Sequence, residues 1–170
     1  GLGTMGTGIA EVVARHGFAV RAIDIDDTTV SDARQRIEAS TDRAVARDKL
    51  TASERSGILD RILFTTNLQE SLTSDIVIEA VPENLELKRQ VLGQLDGLLP
   101  DRVIWCPNTS SLSVPEISTA VGQPSRVVGL HFFNPAPVQD FVEIVRTVVT
   151  DDEVVEHIRV FAEQIGKQAV

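Results

Sequence analysis

The chain has 170 residues, 42% of them hydrophobic, with 16 basic and 25 acidic side chains and a formal net charge of -9. That length supports one domain with a substantial core, and an acidic balance without any basic stretch argues against nucleic acid as a partner, since such surfaces need clustered Lys and Arg. A single cysteine, Cys106, excludes an internal disulfide and a thiolate metal cluster, and no apolar run approaches a membrane span; a reducing cytoplasmic setting, no metal and no membrane contact are expected.

The chain opens on Gly1-Leu2-Gly3-Thr4-Met5-Gly6, a G-x-G-x-x-G pattern with no strand ahead of it. An apolar-periodic run through Ile9, Val12 and Val13 ends near Gly17, which suits the position just after a helix. Phe18 to Asp24 then reads as a strand that ends on an acid. Together these form the second part of a β-α-β dinucleotide unit. The first glycine permits a tight turn, the second lets backbone approach a pyrophosphate at the helix N-terminus, and the third allows close helix–strand contact. Asp24 stands 18 residues after Gly6, close to the spacing at which an acid accepts hydrogen bonds from an adenosine ribose. With Asp26 and Asp27 beside it, a 2′-phosphate is repelled, so NAD is expected over NADP. The competing reading is a glycine-rich turn followed by a strand with a solvated acid.

Thr28 to Lys49 is polar with a sparse apolar stripe at Val30, Ala33, Ile37 and Ala44, which predicts a long helix. Arg43, Arg47 and Lys49 are either ordinary helix-end charges or an anchor for an anionic substrate tail. A short helix is expected after Thr51. The predicted strands fall at 18–23, 61–65, 75–81, 102–106, 126–131 and 141–149. Glu79 lies inside the apolar strand 75–81, where burial requires a partner that the sequence does not identify. Asn84 can cap the helix carrying Leu85, Val91, Leu92, Leu95 and Leu98. Glu83 and Lys88 lie at a strand end, where this class of sheet binds ligands. Trp105 reads as packing. The loop Pro107-Asn108-Thr109-Ser110-Ser111 offers hydroxyls either to a substrate oxygen or to its own turns and caps.

The run Gly129-Leu130-His131-Phe132-Phe133-Asn134-Pro135-Ala136-Pro137-Val138 places a histidine at a strand end before a stiff loop. The following strand delivers Glu143. A carboxylate on one imidazole nitrogen sets the tautomer and leaves the other nitrogen for acid–base work; the competing reading is a core histidine and a surface glutamate. So short a connection makes these two strands antiparallel or an edge pair. Asp151 or Asp152 can cap a last helix with Val154, Ile158, Phe161 and Ile165 on one face. The expected fold is α/β, a doubly wound, mostly parallel Rossmann-type sheet. Two further expectations are a first strand preceding Gly1 and a continuation beyond Val170, the 1–170 unit being a dinucleotide-binding domain cut at both ends.

Four blocks carry a resemblance that spans essentially the whole chain: Gly1 to Ala10, Ile78 to Asn84, Asn108 to Leu112, and Gly129 to Val138 with Glu143. The chain resembles the NAD-binding domain of the L-3-hydroxyacyl-CoA dehydrogenase family, most nearly its bacterial 3-hydroxybutyryl-CoA members. The resemblance implies His131 as general acid/base, Glu143 as its partner and Ser110 as the residue on the substrate oxygen. It implies Asn134 beside nicotinamide and substrate, and the 1–6 glycine motif, Asp24, Glu83 and Lys88 as cofactor-contacting. It also implies Arg47, where a lysine is usual, or Lys49 near the CoA phosphates. An acyl-CoA substrate and a helical C-terminal domain that makes a homodimer are implied as well. Relatives acting on L-gulonate or carnitine share this architecture, a non-catalytic dinucleotide sensor is the alternative of another class, and an upstream hydratase fusion stays open.

Overall fold

The computed structural model describes all residues from Gly1 to Val170. Seven strands and six α-helices alternate. They are β1 (Val20–Ile23), β2 (Ile62–Thr65), β3 (Ile76–Glu79), β4 (Ile104–Pro107), β5 (Gly129–Phe132), β6 (Phe141–Val145) and β7 (Gln168–Ala169), with α1 (Thr4–Arg15), α2 (Asp27–Val45), α3 (Ala52–Asp60), α4 (Leu85–Asp96), α5 (Val114–Ser118) and α6 (Asp152–Gln164). The expected strands are all present but shorter: β1 and β2 begin later, β3 begins later and ends earlier, β6 ends earlier, and β4 and β5 begin later and reach one residue further on.

Strand β1 pairs parallel with β2, and β3 pairs parallel with β4. A single parallel bridge, Trp105 to Val127, ties β4 to the start of the β5 segment. Strand β5 runs antiparallel to β6 with His131 directly opposite Glu143, as the short connection required. Beyond β6 lies β7, parallel to it; two residues of strand carry no periodicity, and the sequence gives no sign of them beyond a renewed apolar character near the chain's end. No ladder joins β1 to β3. Between them runs an apolar cavity of about 440 Å³, with Gly1, Ile23, Ile76, Ile78, Ala80 and Val13 on its walls.

Helix α1 lies across this gap and belongs to both halves of the molecule. Ile9, Val12 and Val13 enter the main core with Leu130, Phe132, Val142, Ile158 and Phe161. Ala10 and Ala14 face the β1 side with Ala22, Ala33 and Ile37, where small side chains let the helix approach closely. The helix stops at Gly17, whose φ of 94° suits glycine. The stripe of α6 is buried as expected at Val154, Ile158 and Phe161, with Ile165 just past its end. Helix α2 ends at Val45, earlier than its sequence pattern suggests, and buries little besides Ala33, Ile37 and Thr41. Arg47 and Lys49 therefore stand in the following turn, not on the helix. No helix is long and apolar enough to cross a membrane.

Candidate active site

The glycine motif builds the first wall. Gly3 is the N-cap of α1 and makes no side-chain cap. The N–H groups of Thr4, Met5 and Gly6 donate to no protein acceptor, as the first turn of a helix leaves them. A Cβ on Gly3 would meet nothing within 4 Å, whereas one on Gly6 would lie 1.9 Å from Gly1 O and one on Gly1 2.7 Å from Ala80 O. Gly1 and Gly6 are thus packing glycines, and Gly3 keeps an open approach to the helix end. Asp24 closes this wall: its Oδ2 accepts from Leu2 N–H at 2.6 Å and its Oδ1 from Ile25 N–H at 2.8 Å. Asp26 has a local duty, capping α2 through Thr29. The Thr29 side-chain and backbone bonds hold its carboxyl below the usual range.

The second wall is a buried ion network under the ends of β3 and β4. The partner that Glu79 needed is Lys88, whose Nζ lies 2.9 and 3.1 Å from the two carboxylate oxygens. Lys88 is wholly buried. Its ammonium also donates to Asn108 O at 3.0 Å and Val81 O at 3.4 Å. Three donors therefore have three kinds of acceptor inside the protein. The structure places Lys88 beneath the site, reaching Glu83 Oε2 at 3.6 Å, and not at a surface a cofactor can touch. Burial pushes the Glu79 carboxyl up, against the opposing charge of Lys88 and its hydrogen bonds.

Glu83 gathers the hydroxyl loop. Its Oε1 accepts from Thr109 Oγ1 at 2.5 Å, Ser110 N at 3.1 Å and Ser111 Oγ at 3.3 Å. Burial raises its carboxyl, but Thr109, the charge of Lys88 and the Ser110 and Ser111 backbone outweigh this and hold it below the usual range. Thr109 also accepts from Leu112 N–H. The two readings of this loop are thereby divided: Thr109 and Ser111 serve the turn, while Ser110 is exposed and its Oγ has no protein partner.

The third wall carries His131. Its Nδ1 and Glu143 Oε2 are 2.7 Å apart. Side-chain exposures of 16% and 47% put the imidazole inside and the carboxylate at the rim. An ionised carboxylate only accepts, so Nδ1 carries the proton and Nε2 presents a lone pair. The Phe133 ring lies 4.4 Å from the imidazole and 4.8 Å from Phe141. Asn108 Oδ1 accepts from Phe132 N–H at 2.9 Å, which joins the Ser110 loop to the His131 strand. Asn134 is exposed on the loop after β5, and its side-chain amide makes no bond within the protein.

Residues 1–170 match the family described as 3-hydroxyacyl-CoA dehydrogenase, NAD binding domain. The chain belongs to that family. Over its full length it is 42% identical to a 3-hydroxybutyryl-CoA dehydrogenase of Mycobacterium tuberculosis (strain CDC 1551 / Oshkosh), covering 60% of that protein. It is 42% identical to a 3-hydroxyadipyl-CoA dehydrogenase of Escherichia coli (strain K12), again over the whole chain, covering 36% of that protein. The crystal structure of an (S)-3-hydroxybutyryl-CoA dehydrogenase from Ralstonia eutropha superposes with a TM-score of 0.98 at 37% identity, covering all of this chain and 60% of that one. The chain thus spans well under two thirds of the length of these relatives.

As a family member its cofactor is NAD, and the residues present fit one. The open approach over Gly3, the free N–H groups of α1 and the Asp24 carboxylate make a cradle for a dinucleotide, with no basic side chain at Asp24 for a 2′-phosphate. Arg47 and Lys49 are the sequence candidates that the structure does not bring to this cluster: both are exposed beyond α2 and form no ion pair. His16 and His157 stand apart from the site, and the protein has no cluster of metal-ligating side chains. Sequence reasoning missed that Asn108 links the loop to β5; its only signal was its place at a strand end.

Proposed function

We propose that this chain is the cofactor-binding part of an NAD-dependent dehydrogenase that interconverts L-3-hydroxyacyl-CoA and 3-ketoacyl-CoA. The observation that carries the reading is the His131–Glu143 pair, set opposite one another across two strands and tied through Asn108 to a loop presenting a free Ser110 hydroxyl. When bound, NAD supplies the hydride acceptor for the C3–H of the alcohol. His131 Nε2 takes the hydroxyl proton as the C3 oxygen becomes a carbonyl. Glu143 stabilises the imidazolium formed, and Ser110 holds the oxygen in place by donating to it. Asn134, at the start of the loop, orients the reacting groups. In reverse, protonated His131 returns the proton to the oxygen of the ketone.

Arg47 and Lys49 supply two unpaired cations for the CoA phosphates. The length of the relatives supports a further domain after Val170, which by resemblance is helical and pairs two copies, and the lone, unpaired Cys106 supports a cytoplasmic setting. The whole protein should reduce acetoacetyl-CoA with NADH and leave free acetoacetate, L-gulonate and carnitine nearly untouched. Turnover of L-gulonate or carnitine exceeding that of the CoA thioester would sink the reading. NADPH should bind more weakly than NADH, and Asp24→Ala should weaken NADH binding without abolishing it.

A further inference from the structure

One buried cation has no part in the chemistry above. Lys167 follows α6 and is buried. Its backbone is fixed by the helix end. Gly166, with φ of 71°, donates to Glu163 O at 3.0 Å, and Lys167 N–H donates to Ala162 O at 2.9 Å. That is the two-bond glycine stop of an α-helix. A side chain at 166 would lie 2.8 Å from His16 Nε2, so the residue before Lys167 is held to glycine by space as well as by φ.

From this fixed base the ammonium crosses to the loop between β5 and β6. Lys167 Nζ donates to Ala136 O at 2.8 Å and to Gln139 O at 2.5 Å. The loop's other tie to this segment is at its last residue, where Asp140 O accepts from Gln168 N–H at 2.7 Å. Pro135 and Pro137 have no N–H to give. Val138 and Gln139 N–H both turn back onto Pro135 O at 2.9 and 3.1 Å, and the Gln139 side chain onto Asn134 O. No other hydrogen bond reaches residues 134–139 from elsewhere in the protein. On the opposite side the loop meets α1: a Cβ on Gly8 would lie 3.2 Å from Pro137 Cδ and 3.3 Å from Ala136 Cβ. Ala136 itself is buried in the main core.

We propose that Lys167 is a positioning residue for this site: its ammonium ties the 135–139 turn to the end of α6, presses it against the cofactor helix α1, and so sets where Asn134 stands relative to His131. Lys167 is no catalytic residue, since it touches only main-chain carbonyls. A cation is the fitting device, because a single lysine donates to two carbonyls that converge at the end of one turn, as cations do at helix C-termini.

The inference rests in its kinetic part on the proposed dehydrogenase activity, and its structural part is tested without it. In the whole protein, Lys167→Met should speed amide exchange at Val138 and Gln139 at least about 10-fold, while Phe161 and Ala162 in α6 keep their protection. Turnover should fall about 10-fold or more, the scale for a reacting group displaced by a fraction of an ångström, with the NADH dissociation constant changed less than about twofold. Unchanged exchange at Val138 and Gln139 overturns the clamp. So does a loss of NADH affinity that parallels the loss of turnover, which marks general damage. If Lys167→Met does not fold, Lys167→Gln decides by the same two measurements, wild-type turnover and exchange overturning the inference. A wild-type protein inactive on acetoacetyl-CoA would defeat the proposed function, and the exchange result would still decide the clamp.

Discussion

At the scale of single residues, what matters is that His131 and Glu143 are cross-strand partners. Direct opposition in an antiparallel pair holds side chains within reach without any loop having to order, so the 2.7 Å contact is built into the register. Glu143→Gln keeps shape but removes the negative charge that stabilises the imidazolium, and its amide can turn either C=O or N–H toward Nδ1. It should leave fold and NADH binding intact and lower turnover roughly 10²–10⁴-fold. His131→Ala should cost at least as much, and the double variant far less than the product of the two, because residues acting as one unit are non-additive. Steady-state kinetics of the three variants in both directions check this. Near-wild-type turnover in His131→Ala would end the acid–base assignment. This pair was legible in the sequence because strand, stiff loop and strand place both residues at one sheet edge. Lys88 with Glu79 was only half legible: an acid inside an apolar strand signals burial, but its partner sits on the next helix beyond a turn of no fixed periodicity. Lys167 was not legible at all, since its acceptors are main-chain carbonyls, which have no sequence signature.

At the scale of elements, the strand ends, helix starts and turns carry the site. Periodicity announced α1, α4 and α6 well, and turn chemistry announced their limits at Gly17, Asn84 and Asp151, although Asp151 makes no side-chain cap. What periodicity does not encode is how the β3–α4 and β4–α5 turns lean on each other. That coupling is Glu83, and it is pH-dependent. Its carboxyl is held low in the fold by Thr109, Lys88 and the Ser110–Ser111 backbone against the opposing effect of burial. A depressed carboxyl binds its proton less tightly folded than unfolded. Its stabilising contribution is therefore complete above the unfolded glutamate pKa of about 4.3 and is lost as pH falls through the lower folded value. The Ser110 loop should hold at neutral pH and slacken only in acid. Glu83→Gln should lose that dependence: denaturant midpoints of wild type and variant should differ most near pH 7 and converge as the pH falls below the glutamate range. A constant difference across the range would show that Glu83 does not gather the loop as a carboxylate.

At the scale of the whole molecule, the sheet is interrupted where its order demands a strand. Strand β1 has β2 on one side and β3 has β4 on one side, so each presents an unpaired edge to the apolar cavity of about 440 Å³ between them. Two such edges are a template for one more strand. The chain's approach to that space is fixed at Gly1: its nitrogen lies 3.0 Å from Ile23 O at the C-terminal end of β1, and a Cβ on it would lie 2.7 Å from Ala80 O, just past β3. A segment leading into Gly1 along this line runs parallel to both neighbours, and with α1 and β1 it makes the right-handed crossover that parallel strands adopt. The walls, with Ile9, Val13, Ile76 and Ile78, require that segment to be apolar on both faces. Each Val, Leu or Ile it buries would contribute about 1.5–3 kcal/mol. We therefore predict that in the whole protein the residues preceding Gly1 form this strand and that the chain starting at Gly1 is markedly less stable without them. Amide exchange of β1 and β3 in the two proteins checks it, with slot-facing N–H groups protected only when the preceding residues are present. Equal exchange and equal unfolding temperatures would mean that the slot is not a strand site.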